Sequence, residues 1–407
     1  MKWEPDYNSY ALERKVAELC RTIAADKKKS VRMQLESSRF IHGVVRRLKA
    51  ELFIPIAKFD QGELLNTPGG TISLANNGGA HWALREHRRE DYLTKVTAVT
   101  PVRGPCPMWL KFLDRITEDD HELRDYLQRC SGYWLTPYTT EQCFWFCYGR
   151  GGNGKGTFLR VIKRLLGDYA TTASLDLLTE KKFEAHPEEL AALRGVRLLI
   201  CTETAKGKSW DEAKVKAITG GDPIRARFMR QNSFEYAPQF KIVVSGNNKP
   251  AIRSTDPAMR RRLQLVPFTV DIPKSEQDGT LEDRLIAQEG PAILAWILEG
   301  FEQWREHGLS PPDLVVSASE EYLAEQDEVA QWIAERCDLG ANYQAFSSVL
   351  YVDWSNWATA RGLRAGTIKT FVENLKKKKD ELGLEQMRSN AANGFDGIRL
   401  RVDDYND

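Results

Sequence analysis

The stretch from Gly149 to Thr157 reads GRGGNGKGT and fits the phosphate-binding pattern G-x-x-x-x-G-K. Gly149, Gly151, Gly152 and Gly154 let the backbone curl so that successive N–H groups, with those of Asn153 and Gly156, face a polyphosphate. Lys155 brings positive charge to the terminal phosphates, so the expected ligand is ATP with Mg2+. The position after the lysine departs from the pattern. It is Gly156, the usual metal-binding hydroxyl is absent, and Thr157 becomes the substitute candidate one residue, or about 100° of helix, further round.

An ATP-hydrolysing site also needs an acid and a group that senses the γ-phosphate. The run VRLLICTE ends at Glu203, a carboxylate suited to orienting Mg2+ and polarising an attacking water. QFKIVVSGNN ends at Asn247 and Asn248, where an amide could sense the γ-phosphate, although Gly and Asn are also common in turns. The order loop, acid, amide, each at the end of its own apolar run, is more specific than any one of them. Downstream, MRRRLQLVPF carries Arg260, Arg261 and Arg262; three adjacent arginines cannot all face one way, and one or two of them could reach a neighbouring subunit's ATP, against the ordinary reading of a solvated face. Between acid and amide lie Lys216, Arg225, Arg227 and Arg230, followed by Lys249. The alternating arginines ahead of a turn at RQN suit a hairpin that grips single-stranded DNA, or an exposed hairpin with ordinary charges.

The elements around these residues follow from periodicity. Leu12, Val16, Leu19, Ile23, Ile41, Val44, Val45 and Leu48 recur at helical spacing between Tyr10 and about Leu52. Clustered turn formers between Phe53 and Asn77 predict small hairpins or an extended segment. Helix resumes at about Met108, through Trp109, Phe112, Leu113, Ile116, Leu123, Tyr126 and Leu127, and is expected to stop at Ser131 and Gly132. EQCFWFCYG, the glycine loop and FLRVIKRLLG then read as strand, loop and helix, and VRLLICTE and QFKIVVSGNN as buried strands of an α/β sheet. PAILAWILEGFEQW is a strong helix, SPPD reads as the start of a linker, and the last part alternates helical pieces with a terminal extended piece, GIRLRV.

Composition narrows the class. A chain of 407 residues has room for two or three domains, and a net charge of +1 excludes a uniformly basic nucleic-acid coat, so basic residues must act locally. The odd count of 7 cysteines lacks metal-ligand spacing and suits core thiols in a reducing interior. No apolar stretch approaches the roughly 20 residues that cross a bilayer, and a soluble protein of the bacterial host cytoplasm, with no membrane partner, is expected.

YGRGGNGKGTF, LLICTET, KAITGGDPIRARFMRQNSFEYAPQFKIVVSGNNKP and MRRRLQLVPF together resemble the phage and plasmid primase-helicases, a family related to the poxvirus primase-helicase and placed in superfamily 3 of the AAA+ class. REDYLTKV and LRDYLQRCSGYWLT resemble that family's helicase-associated N-terminal domain, so the likeness covers most of the chain. It implies that Lys155 and Thr157 hold ATP and Mg2+, that Glu203 is the catalytic acid and Asn247 the sensor, and that Arg261 or Arg262 is a finger given to a neighbour. It further implies a hexameric ring, a DNA-binding hairpin over 216–236 with Arg225, Arg227, Arg230 and Lys216 or Lys249 facing phosphates, and 3′-to-5′ travel on single-stranded and forked DNA. No primase site is recognisable, so a separate primase or replication initiator is the expected partner.

The expected architecture is an α/β AAA+ phosphate-loop core over 135–310, preceded by a mainly helical collar and oligomerisation domain over 1–134. A linker over 311–327 and a winged-helix-like domain over 328–407 follow. Trp332, Trp354 and Trp357 suit the small core of that last domain, while NLKKKKDE suits a phosphate-gripping helix and a solvated helix end equally. Two rivals remain: a nucleotide phosphotransferase, because GKGT also resembles the loop of nucleoside monophosphate kinases, and a non-catalytic DNA-binding assembly module.

Overall fold

The computed structural model describes residues 2–4, 6, 9–75, 82–180, 187–202, 209–228, 232–247, 249–252, 257–363, 365–388 and 393–401. Glu203, Arg230 and Asn248 lie outside the described residues.

At its centre is an all-parallel sheet of five strands: β1 (Phe144–Tyr148), β2 (Ala170–Ser174), β3 (Leu198–Thr202), β4 (Lys241–Gly246) and β5 (Leu263–Pro267), in the order β5-β1-β4-β3-β2. β1, β3 and β4 are the apolar runs read in the sequence, and they are buried because helices cover both faces, whereas the edge strand β2, ATTAS, alternates between buried or half-buried and exposed residues. On one face the helix Lys155–Leu166 and the helices Pro107–Thr117, His121–Trp134 and Gly290–His307 share a core with Trp145, Leu198 and Val243. On the other, Phe144, Phe146, Leu199, Ile242, Val244 and Leu265 pack with Trp210, Val215 and the helix Asp313–Glu325.

Two expectations are corrected here. Helix His121–Trp134 does not stop at Ser131 and Gly132; both are buried within it. A β-carbon on Gly132 would lie 2.0 Å from the Phe301 backbone nitrogen, and one on Gly300 would lie 2.1 Å from the Gln128 carbonyl oxygen, so the glycines let the two helices touch backbone to backbone. Likewise the linker expected over 311–327 is helix Asp313–Glu325, whose Val315, Ala318, Tyr322 and Leu323 are buried; Ser319 Oγ accepts from Leu265 N of β5 at 2.9 Å. Proline suits the entry to a helix because the first N–H groups have no intrahelical acceptor. The apolar core therefore runs across residue 134, taking in Leu65, Ile72 and Trp109 together with Phe158 and Ile297.

The crossing makes a test of sign. Gly→Ala stabilises an exposed helix by about 1 kcal/mol, whereas Gly132→Ala is expected to cost about 3 kcal/mol, since backbone atoms would have to move. A lowered denaturant midpoint at unchanged slope is the expected reading, and a raised midpoint would refute the contact.

The N-terminal helices Tyr10–Ala24, Lys29–Leu35 and Ser38–Glu51 bury little beyond Val16, Cys20, Ala24 and Val45. The hairpin Leu64–Thr67 with Gly70–Ser73 follows as expected, while REDYLTKV forms only a 3-10 turn, Arg89–Asp91. The C-terminal part runs helix Glu328–Arg336, strand Cys337–Phe346, helices Ser347–Ala360 and Ile368–Lys377, then strands Glu385–Arg388 and Asn393–Leu400, with the last strand central in an antiparallel sheet. Trp332, Trp354 and Trp357 are buried in its core. All seven cysteines are buried free thiols. Among the described residues no helix is long and apolar enough to cross a membrane.

Candidate nucleotide-binding site

Parallel strands deliver their C-terminal ends to one edge of the sheet, where open α/β folds bind ligands. β4 lies between β1 and β3, with Tyr148 in register with Gly246 and Thr202 with Ser245. These three strands end at Tyr148, Gly246 and Thr202, so the topology gathers the start of the loop, the amide of Asn247 and the end of β3 at one edge.

The loop is built from its own residues. Gly152 and Gly154 adopt φ of 81° and 78°, values that only glycine takes at little cost. A β-carbon on Gly154 would also lie 2.3 Å from Ile116 Cγ2, so helix Pro107–Thr117 walls the loop on that side. Asn153, 2 % exposed, donates from Nδ2 to the Phe268 carbonyl at 2.6 Å, and Phe268 N donates to the Tyr148 carbonyl at 2.8 Å. Asn153 thus staples the loop to the chain beyond β5. The helix Lys155–Leu166 starts at the loop, giving it a long dipole whose positive end faces the cradle.

Lys155 is 7 % exposed, and its Nζ donates to Asn247 Oδ1 at 3.1 Å and to the Gly149 carbonyl at 3.5 Å. Lysine and candidate sensor, 92 residues apart in sequence, are therefore in direct contact. Gly151 opens onto empty space on its β-carbon side. The Thr157 hydroxyl meets Arg160 Nη2 at 3.4 Å. Among the described residues, no group of three or more His, Cys, Asp or Glu side chains could hold a metal ion.

The remaining candidates divide. Arg262 is 7 % exposed, with Nε donating to Thr219 Oγ1 at 3.1 Å and Nη1 to the Ala258 carbonyl at 2.8 Å; it ties the start of β5 to the helix Glu212–Gly220. Arg260 and Arg261 are exposed. Arg225 lies on the strand Ile224–Ala226, paired antiparallel with Phe234–Tyr236 and opposite Glu235, and both Arg225 and Arg227 are exposed. Lys216 lies 3.8 Å from Glu212 on the preceding helix. Lys249 stands 4.5 Å from the centre of the Tyr148 ring at the mouth of the loop strand, and burial pushes the Tyr148 phenol above its ordinary pKa. Missed in sequence were Phe268, which anchors Asn153, and Tyr148, which carries Lys249; their partners lie far along the chain, and a bare phenylalanine or tyrosine signals neither role.

The fold and site thus define a parallel α/β protein with a phosphate-binding-type loop at its ligand edge. Residues 1–118 match the family described as D5 N terminal like, and residues 147–262 match a family of unknown function, DUF5906. A putative helicase of Acanthamoeba polyphaga mimivirus, L207/L206, is 28 % identical over 55 % of this chain and 25 % of its own length. Putative helicase 022R of Frog virus 3 is 26 % identical over 66 % and 29 %, and primase D5 of Fowlpox virus 26 % over 32 % and 17 %. The chain thus spans less than a third of the length of each of these relatives. Among solved structures, the A-form apo C-terminal region of NrS-1 aligns over 86 % of this chain and 79 % of that one, at 11 % identity and a TM-score of 0.44. By sequence, the chain is similar to D5-like proteins over residues 1–118 and to viral proteins named putative helicase or primase over a third to two thirds of its length.

Proposed function

We propose that this chain is the ATP-hydrolysing motor of a DNA helicase in a viral or mobile-element replication system, working as a ring of identical subunits on single-stranded and forked DNA. The observation that carries the reading is the contact between Lys155 and Asn247 beside a glycine cradle at the C-terminal edge of the sheet. The names of the relatives, putative helicases and a primase, support it. The five-stranded parallel sheet supports an AAA+ core of superfamily 3, and the helix and strand order after Glu328 supports a winged-helix domain.

In this reading the N–H groups of 149–157 and the Lys155 ammonium hold the triphosphate. Asn247 ties the ammonium to β4 and reports the γ-phosphate, Glu203 takes the proton from the attacking water, and Arg261 reaches the adjoining subunit. Arg262, tied inward to Thr219, supports Arg261. Thr157 and Glu203 would hold Mg2+, which would neutralise phosphate charge, and Gly156 would offer it no hydroxyl. Arg225, Arg227 and Arg230 grip DNA phosphates in the ring channel, with Lys216 nearby. Lys249 is seated on Tyr148, at the end of the strand that leads into the loop, and is a further candidate to meet DNA phosphates. A separate primase or initiator completes the system.

ATP hydrolysis measured with and without single-stranded DNA, beside strand displacement on a fork, tests this function. DNA-stimulated release of free phosphate with displacement is expected. Phosphate appearing on a nucleotide acceptor would establish a phosphotransferase instead, and absence of turnover even with DNA would leave a passive module. Arg225→Ala with Arg227→Ala is expected to weaken single-strand binding while sparing ATP binding. It should also flatten the plot of log affinity against log salt by about 0.7 per lost phosphate contact; an unchanged slope would remove both arginines from the DNA path.

A further inference from the structure

Gly156 and Arg160 face each other across the first two turns of the loop helix. Helical side chains lean toward the N-terminus and meet neighbours three and four positions back, so Arg160 reaches toward Thr157 and Gly156. Its Nη1 stands 2.8 Å from where a β-carbon on Gly156 would be, and its Nη2 lies 3.4 Å from Thr157 Oγ1. The guanidinium thus lies over Gly156, where the usual serine or threonine would begin its side chain. Its Nε is held by Glu282 Oε2 at 2.6 Å.

Glu282 does not depend on that arginine. Arg164 Nη1 donates to its other oxygen at 3.1 Å and to Asp283 Oδ1 at 2.6 Å, so the carboxylate stays paired if Arg160 leaves. Burial pushes the Glu282 carboxyl up, but hydrogen bonds from Arg160 and Arg164 hold it below its ordinary value, so it is a standing anion. The Arg160 side chain is 59 % exposed against 20 % for Glu282. An ion pair with one open partner is weak, and a polyphosphate, with more charge and several acceptor oxygens, competes well for a guanidinium. The same segment covers the loop at a second point, where Gln277 Nε2 stands 2.9 Å from a β-carbon on Gly152.

We propose that Arg160 is a nucleotide-binding residue that Glu282 holds in reserve: on binding of a nucleoside di- or triphosphate its guanidinium leaves Glu282 for the phosphates, supplying charge beside the missing hydroxyl. This rests on the reading that the loop binds nucleotide. The transfer requires no metal, and it gives the two partners opposite effects. Arg160 favours nucleotide binding, whereas Glu282 opposes it by retaining Arg160.

The test is equilibrium binding of a fluorescent ATP analogue to the full chain, with Mg2+ and with chelator, for wild type, Lys155→Ala, Arg160→Ala, Glu282→Gln and the double variant Arg160→Ala with Glu282→Gln. Circular dichroism and melting of each variant confirm folding. Arg160→Ala should weaken binding about tenfold, with or without Mg2+. Glu282→Gln should tighten it severalfold, and the double variant should match Arg160→Ala. Two results would overturn the proposal while leaving the nucleotide site in place: Arg160→Ala binding within twofold of wild type while Lys155→Ala loses binding, or Glu282→Gln weakening binding as much as Arg160→Ala. A wild-type chain without affinity would overturn both the proposal and the site reading beneath it.

Discussion

Lys155→Ala is expected to abolish ATP turnover, with a loss of at least about 10²-fold, the scale seen when one preorganised charge-stabilising donor is removed from a reacting centre. The ammonium is 7 % exposed and fixed between Asn247 and the Gly149 carbonyl, so little reorganisation is needed when phosphate arrives. Alanine removes both the charge and the link between the loop and β4. Binding should weaken along with turnover, because the same charge serves bound ATP and the transition state. Phosphate release and nucleotide affinity measured on one preparation check this, and turnover within a few-fold of wild type would dismiss Lys155 from the site.

Glu203→Gln should separate the two steps. The amide keeps the shape of the side chain but cannot accept a proton from water, so turnover is expected to fall by about 10²- to 10⁴-fold while ATP binding persists. The case rests on position: β3 ends at Thr202 in register with Ser245, two residues before Asn247, and Glu203 is the next residue in sequence. Trapped ATP recovered unhydrolysed from the variant is the expected result. Wild-type turnover would assign the acid elsewhere, and loss of binding would mark Glu203 as a ligand-holding group.

The loop and its helix were legible because their demands are local. Positive φ at Gly152 and Gly154 requires glycine, and the lysine proposed to meet the phosphates is the next residue. β1, β3 and β4 were legible because burial on both faces demands continuous apolar runs, whereas the edge strand β2, ATTAS, carries no such run and was missed. What misled was punctuation whose meaning depends on the rest of the fold. Gly132 reads as a helix stop, yet it serves a backbone contact with Phe301, far along the chain. Pro311 and Pro312 read as a linker, yet they open a helix packed on β5. The arginine run could not be divided in sequence; Thr219 and the Ala258 carbonyl draw Arg262 inward and leave Arg261 outside. Arg160 and Glu282, 122 residues apart, carried no local sign of each other.

The seating of Asn247 on Lys155 bears on how the proposed site and the sheet would cooperate. β4 is hydrogen-bonded to both β1 and β3, so in the proposed motor a shift of Asn247 on γ-phosphate loss would be felt by the strand that follows the hairpin at Phe234–Tyr236, the proposed DNA grip. That hairpin lies directly before β4 in sequence, which gives the proposed motor a short mechanical path between nucleotide and DNA.

Titration of the purified wild-type chain with a fluorescent ATP analogue bears most directly on these roles. Saturable binding that unlabelled ATP displaces and Lys155→Ala abolishes is the predicted result. A correctly folded chain that shows no saturable binding, alone or assembled on DNA, would contradict it.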